Sequence, residues 1–288
     1  MEPKYNEYLI KNKIKPGNIR KIAYLEWGNY EAYPIVCLHG LTRNAHDFDY
    51  LAQVLAKNYR VICPDIIGRG KSDYATDISQ YSYKQYVTDL HSLLKHLQIT
   101  DTHLIGTSMG GIIGMIYATV FRKTIHKLVL NDVGAFISRK ALERIGQYVT
   151  HYPEFITFAE AATYIKEIFA QFGIDNEKKW QHFITHSIIR NIDGTYRLNY
   201  DPVIGTAFQK PAIYKADVNL WSFWNILRKN MPILILRGEF SNVLSVMTTR
   251  QMKLTHPHCK EVEIKGVGHA PSLMNDDQIS LIDYWLHN

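Results

Sequence analysis

Short, continuously apolar runs ended by glycine, proline or aspartate recur along the chain, with helix-patterned segments between them. This alternation leaves few architectures open. The runs are IVCL (35–38), YRVICP (59–64), THLIG (102–106), KLVLND (127–132) and PILILRG (232–238). A strand that is apolar at every position must be buried on both faces, as inside a parallel sheet covered by helices. Two earlier runs, EYLIKNK (7–13) and RKIAYLEW (20–27), partly alternate polar and apolar residues, as antiparallel edge strands do. With CKEVEIK (259–265) the strands number eight, enough for one sheet. Residues 45–57, 82–97, 109–121, 241–254 and 275–287 carry apolar positions at helical spacing. The expected class is therefore α/β, a mostly parallel eight-stranded sheet flanked by helices.

The alternation breaks between about Gly134 and Asn230. This stretch reads as helices over 138–151, 157–172 and 175–190, with irregular joins such as NIDGTYRLNYDP, and it is rich in aromatic residues. An all-helical block inserted after the sixth strand sits at the carboxyl edge of the sheet, where open α/β sheets bind ligands. The expected domains are an α/β core, 1–133 and 230–288, and a helical cap, 134–229.

Composition narrows the function. A hydrophobic share of 46% and a charged share of 21% are those of an ordinary globular protein. The start, MEPKYNEYLIKNK, lacks the apolar stretch of a signal peptide, and no apolar run is long enough to span a bilayer. A cytoplasmic protein without a membrane partner is expected. The net charge is +6, but lysines and arginines are spread without a run of five, so a solvated surface is expected rather than a nucleic-acid partner. Three cysteines are too few for a disulfide framework. No cysteine–histidine grouping shows zinc-ligand spacing, and neither a metal nor an organic cofactor is implied.

One junction carries chemistry. In LIGTSMGGIIGMIYATV (104–120), an apolar strand meets G-x-S-x-G and then a helix. This context is the one the motif needs for a nucleophile elbow, in which a strained turn exposes the Ser108 hydroxyl at a helix N-terminus. A serine hydroxyl is a weak nucleophile without a base. Of the thirteen histidines, His269 in KGVGHAPSLMNDD lies after the last strand and before the last helix, so serine precedes histidine in the chain.

Taken in order, CLHGLTRNAHDF (37–48), PDIIGRGKSD (64–73), GTSMGG (106–111), LVLNDVG (128–134), PILILRGEFS (232–241) and GVGHAPSL (266–273) make the chain resemble an α/β-hydrolase-fold serine hydrolase of the carboxylesterase-like, capped type. The resemblance implies an oxyanion hole from the backbone N–H groups of Leu41 and Met109. It also implies an acid, which relatives carry after strand six or after strand seven. Asp132, at the end of strand six, is favoured, and Glu239 is the alternative; Asn242 stands where relatives often have aspartate. Asp65, Arg69, Ser72 and Asp73 are expected to brace the loop after strand four. Arg43 and Asn44, beside the oxyanion loop, are candidate contacts for a small-molecule acyl substrate. The implied activity is cleavage of a carboxylic ester, thioester or lactone through an acyl-enzyme. A non-catalytic ligand receptor on the same fold is the alternative.

Overall fold

The computed structural model describes residues 2–11, 19–209 and 216–288. Its main sheet has eight strands: β1 (Lys4–Lys11), β2 (Ile19–Trp27), β3 (Pro34–Leu38), β4 (Arg60–Pro64), β5 (Thr102–Thr107), β6 (Ile125–Asn131), β7 (Ile233–Gly238) and β8 (Cys259–Ile264). They lie in the order β1-β2-β4-β3-β5-β6-β7-β8. β2 pairs antiparallel with β1 and with β4, and all other pairs are parallel. The expected α/β class with eight strands is borne out. Residues 12 and 13, the end of the first run, lie outside the described residues.

The helices are α1 (Asp49–Leu55), α2 (Tyr83–His96), α3 (Met109–Val120), α4 (Arg139–Val149), α5 (Phe158–Ile168), α6 (Glu177–Ser187), α7 (Val203–Gln209), α8 (Trp221–Ile226), α9 (Val246–Thr255) and α10 (Asp276–His287). Polar side chains set several starts. Ser82, Ser138, Thr157, Asn176 and Ser245 each accept a hydrogen bond from a first-turn backbone N–H, and Glu160 returns the bond to Thr157 in a capping box.

The two-residue period of the strands sorts the core into two layers. Val36, Leu38, Leu104, Leu130 and Ile235 face α2 and α3, whereas Ile35, Cys37, Ile105, Val129 and Leu236 face α1 and α10. Every residue of β4 and β7 is buried, which accounts for the apolar runs Val61–Cys63 and Ile233–Leu236; the buried Arg60 and Arg237 are paired with Glu26 and Glu263. Each such side chain contributes about 1.5–3 kcal/mol by leaving water. No helix among the described residues is long and apolar enough to cross a membrane.

Between β6 and β7 the chain builds a layer with its own core of Phe155, Ile165, Phe169, Phe183, Ile184, Leu198 and Tyr200. It is not all-helical. Residues 154–155, 196–198 and 188–190 form a three-stranded antiparallel sheet. The NIDGTYRLNYDP stretch read as irregular is therefore half hairpin: Asn191 and Thr195 close a turn in which Gly194 takes φ +91°. The ends of the insertion also belong elsewhere. Leu220, Trp224 and Leu227 pack into the α2–α3 layer of the core, and 218–219 pair with 136–137. The aromatics at 221–224 thus include a core residue, Trp224.

The loops after β3 and β4 are joined by buried polar groups. His39 is fully buried; its Nε2 accepts the Ile66 N–H at 2.9 Å and its Nδ1 faces Gly40 O at 2.7 Å. Burial above all, with Arg69 and Arg43 adding to it, pushes this imidazole down to about 3 from 6.5. Between these values the unfolded chain binds a proton that the folded chain refuses. The contribution is therefore complete above pH 6.5 and is lost as pH falls towards 3. Urea unfolding of wild type and His39→Gln across this range should show the wild type losing more stability on acidification, by up to about 1.4 kcal/mol per pH unit. Parallel curves would remove His39 from the acid response.

Candidate active site

Ser108 joins β5 to α3 with φ +50° and ψ −113°, a strained conformation for a residue with a side chain. Two close approaches impose it. A Cβ on Gly106 would lie 2.4 Å from Gly111 N, and one on Gly110 would lie 2.0 Å from Leu38 O. Strand, turn and helix pass so tightly that only hydrogen fits at either position. The Ser108 N–H is tied to Asn131 O at 2.9 Å, and its hydroxyl is left facing outward from the helix start.

His269 and Asp132 meet this hydroxyl from two other strand ends. Ser108 Oγ lies 2.9 Å from His269 Nε2, and His269 Nδ1 lies 2.7 Å from Asp132 Oδ2. Asp132, fully buried at φ +55° just beyond β6, also accepts the Gly238 N–H at Oδ1 (2.9 Å) and the Ser241 hydroxyl at Oδ2 (2.6 Å). A carboxylate can only accept, so Nδ1 of His269 carries the proton and Nε2 offers its lone pair to Ser108. Asn131 Nδ2 donates to Pro271 O at 2.8 Å and to Thr107 Oγ1 at 3.0 Å, tying the histidine loop to the elbow strand. The geometry can move a proton from the hydroxyl to the imidazole and hold the charge that results.

Glu239 is placed differently. Its carboxylate accepts the Gly266 N–H at 2.9 Å and Lys265 Nζ at 3.2 Å, so it braces the β8 turn while Asp132 occupies Nδ1 of His269. Asn242 lines the cavity beside the site. Ser241, which sequence reasoning passed over, is the neighbour that bonds the buried carboxylate.

The loop after β3, which carries Leu41, is held from beneath. Arg69, fully buried, donates through Nε to Leu41 O at 2.8 Å and through Nη1 to Ile67 O (2.8 Å) and Tyr86 OH (3.1 Å). Asp65 accepts the N–H groups of Ala45 and Lys71, Ser72 bonds Ala23 N and Asp65 O, and Asp73 accepts the Lys21 N–H. Leu41 and Met109 both line the cavity at the site. The Met109 amide is the first of α3, where N–H groups have no acceptor within the helix.

Arg43 and Asn44 turn out to be ties between core and insertion. Arg43 is 3% exposed; it pairs with Asp47 at 2.6 Å, donates to Ser187 Oγ at 2.6 Å and lies 3.6 Å from the Phe183 ring centre. It reaches the cavity as part of its wall with its guanidinium already engaged. Asn44 is engaged in the same joint. It does not line the cavity: its oxygen caps the turn at His46, and its nitrogen donates to His186 O at 2.7 Å.

Above Ser108 and His269 opens a cavity of about 410 Å³. Ile137, Leu142, Ile145 and Tyr148 wall it on the α4 side and Ile168, Phe169 and Phe172 on the α5 side; the exposed Arg144, Glu167 and Gln171 mark its solvent side. A mostly apolar pocket with a few convergent polar groups at its floor is the usual form of a small-molecule site.

A second titratable cluster escaped the sequence reading. His46, Asp49, His182 and His186 meet where α6 crosses the loop before α1. The signal was present: His182 and His186 stand four apart in a helix and so share one face.

The fold and this geometry define a hydrolase of the α/β type. The alpha/beta hydrolase fold family matches residues 33–276, and the chain belongs to that family. It is 37% identical over 277 residues to the 3-hydroxybutyrate-oligomer hydrolase of Cupriavidus necator, with 93% of each chain covered. A solved protein of Rickettsia typhi superposes with a TM-score of 0.91 at 39% identity, covering 99% of both chains. An alpha/beta hydrolase of Novosphingobium aromaticivorans does so with a TM-score of 0.86 at 34% identity, covering 98% of both.

The elbow's tightness is testable. Gly110→Ala should destabilise the protein by about 1–3 kcal/mol or more, the cost of overpacking against a backbone that cannot yield. Gly40→Ala, whose Cβ would meet only Arg43 Cγ at 3.6 Å, should cost less. Equal losses in urea unfolding would contradict the steric account.

Proposed function

We propose that the chain is a serine esterase that works through an acyl-enzyme, with Ser108 as nucleophile, His269 as base and Asp132 as the acid behind it. What carries the reading is the unbroken hydroxyl–imidazole–carboxylate chain, at 2.9 and 2.7 Å, on the floor of an apolar cavity. Nε2 of His269 takes the Ser108 proton as Oγ attacks the ester carbonyl. The Leu41 and Met109 N–H groups receive the oxyanion, an interaction that forms fully only as charge develops. The tetrahedral adduct collapses, the alcohol leaves with the proton from His269, and the acyl group stays on Ser108. Water, deprotonated by the same imidazole, then releases the acid. Asp132 holds the productive tautomer and offsets the imidazolium charge in each half. Residues 134–229 act in this reading as the cap, with α4 and α5 shaping the acyl pocket.

The substrate class we propose is short oligoesters of 3-hydroxy acids. The 37% identity with an enzyme named for 3-hydroxybutyrate oligomers, spread over 93% of both chains, supports it. So does a cavity that suits a short acyl chain.

Two measurements test this. With a p-nitrophenyl ester, Asp132→Ala should lower kcat by about 10⁴, while Glu239→Ala stays within a few-fold of wild type; the reverse order would move the acid to the β7 end. With the 3-hydroxybutyrate trimer, wild type should release monomer and dimer, and Ser108→Ala should release none. Turnover of simple esters without turnover of the trimer would remove the substrate class alone. Tight trimer binding with no turnover of any ester would favour a ligand receptor.

A further inference from the structure

The cluster at the joint of cap and core lies outside the relay, and no step above uses it. It draws on two segments. His46 comes from the turn leading into α1 and Asp49, three residues on, from the first position of that helix, and His182 and His186 come from one face of α6. Asp49 Oδ2 is the shared partner: His46 Nδ1 lies 2.7 Å from it and His182 Nε2 3.3 Å. The His186 ring stacks on His46 with centroids 3.6 Å apart and meets His182 at 4.6 Å.

The cluster is under-satisfied as a hydrogen-bond network. Asp49 Oδ1 is buried without a partner, and the His186 ring makes no hydrogen bond among the described residues. Buried polar atoms are normally paired, so the open Asp49 oxygen beside an imidazole without a hydrogen bond leaves a place for a shared partner. Donor atoms of His46, Asp49 and His186 all lie within 4.8 Å of one another. Two ligands on a tetrahedral ion with bonds of about 2.1 Å stand about 3.4 Å apart, so the three donors would draw together by side-chain rotation, the stacked His186 ring turning most, with His182 joining as the fourth. Three imidazoles and one carboxylate suit zinc, cobalt or nickel, and not the all-oxygen preference of magnesium or calcium.

We propose that His46, Asp49, His182 and His186 form a binding site for one divalent transition-metal ion, which fastens the cap to the core. The ion would add to ties already present there, Arg43 to Ser187 and Asn44 to His186 O. These run from the segment that carries Leu41, so occupancy would stiffen the oxyanion loop and the cap together. The role is structural, because the site is separate from the Ser108–His269 pair and lines no part of the cavity.

The test uses the full chain, stripped with EDTA and dialysed. Titration with CoCl₂ should reach one ion per chain, with the visible absorption of a low-coordinate cobalt site, and ZnCl₂ should raise Tm. In His186→Gln the zinc affinity should fall more than about 10-fold, the loss that even an outer partner of a metal ligand can cause. Its circular dichroism and Tm in EDTA report whether it is folded. Zinc-edge X-ray absorption of the wild type, which depends on no variant, should read three imidazoles and one carboxylate. Binding below one equivalent, unchanged affinity in His186→Gln, or affinity that disappears only in His269→Gln would overturn the proposal.

Discussion

Ser108 can present its hydroxyl above the sheet only because β5, β3 and α3 close on one another with nothing but hydrogen at Gly106 and Gly110. The strain of φ +50° at Ser108 is offset by that packing: α3 is buried along nearly its whole length between the sheet and α2. Strain held by a rigid frame is preorganisation. The hydroxyl need not be ordered again when a substrate arrives. The rest of the site is built to meet this fixed point.

Meeting it depends on buried polar contacts between loops that are far apart in sequence. Asp132 joins the ends of β6 and β7 through Gly238 and Ser241 before it reaches His269. Asn131 links the elbow to the histidine loop, and Arg69 holds Leu41 from below. An unpaired buried group costs as much as several good contacts return, and in this network Asn131 Oδ1 is left without a partner. Asp132 has three donors on its two oxygens, which is how a carboxylate can sit at zero exposure beside a histidine.

Much of this was legible in the residues. Strands buried on both faces must be apolar throughout, so β3 to β7 announced themselves, and the antiparallel pair showed its partial alternation. The elbow was legible because its glycines are a steric requirement. Which carboxylate meets His269 was harder to read, since Asp132 and Glu239 both follow strands at the same sheet edge; what separates them is a third-dimension fact, that Glu239 is taken by Gly266 and Lys265. The small sheet of the cap was missed because strands of two or three residues carry no readable period, although Asp193-Gly194 is a turn signal. Trp221 to Trp224 read as cap because aromatic content does not say which core an aromatic enters. Asn44 beside the oxyanion loop read as a substrate contact, yet its amide caps a turn and holds α6. The histidine cluster requires two segments 136 residues apart, His46 and His182, to be brought together, which no local pattern reports.

The joint between the insertion after β6 and the core therefore concentrates what the sequence conceals: Arg43 against Phe183, Asn44 against His186, and Tyr81 against Asp201. Of these residues only Arg43 also lines the cavity above Ser108. Whether the Ser108 hydroxyl is the activated group is decided most directly by labelling the folded protein with a fluorophosphonate and mapping the adduct by peptide mass. The account expects one adduct per chain, on Ser108, lost when His269 is replaced by glutamine. An adduct on another residue, or none at all on active protein, would contradict it.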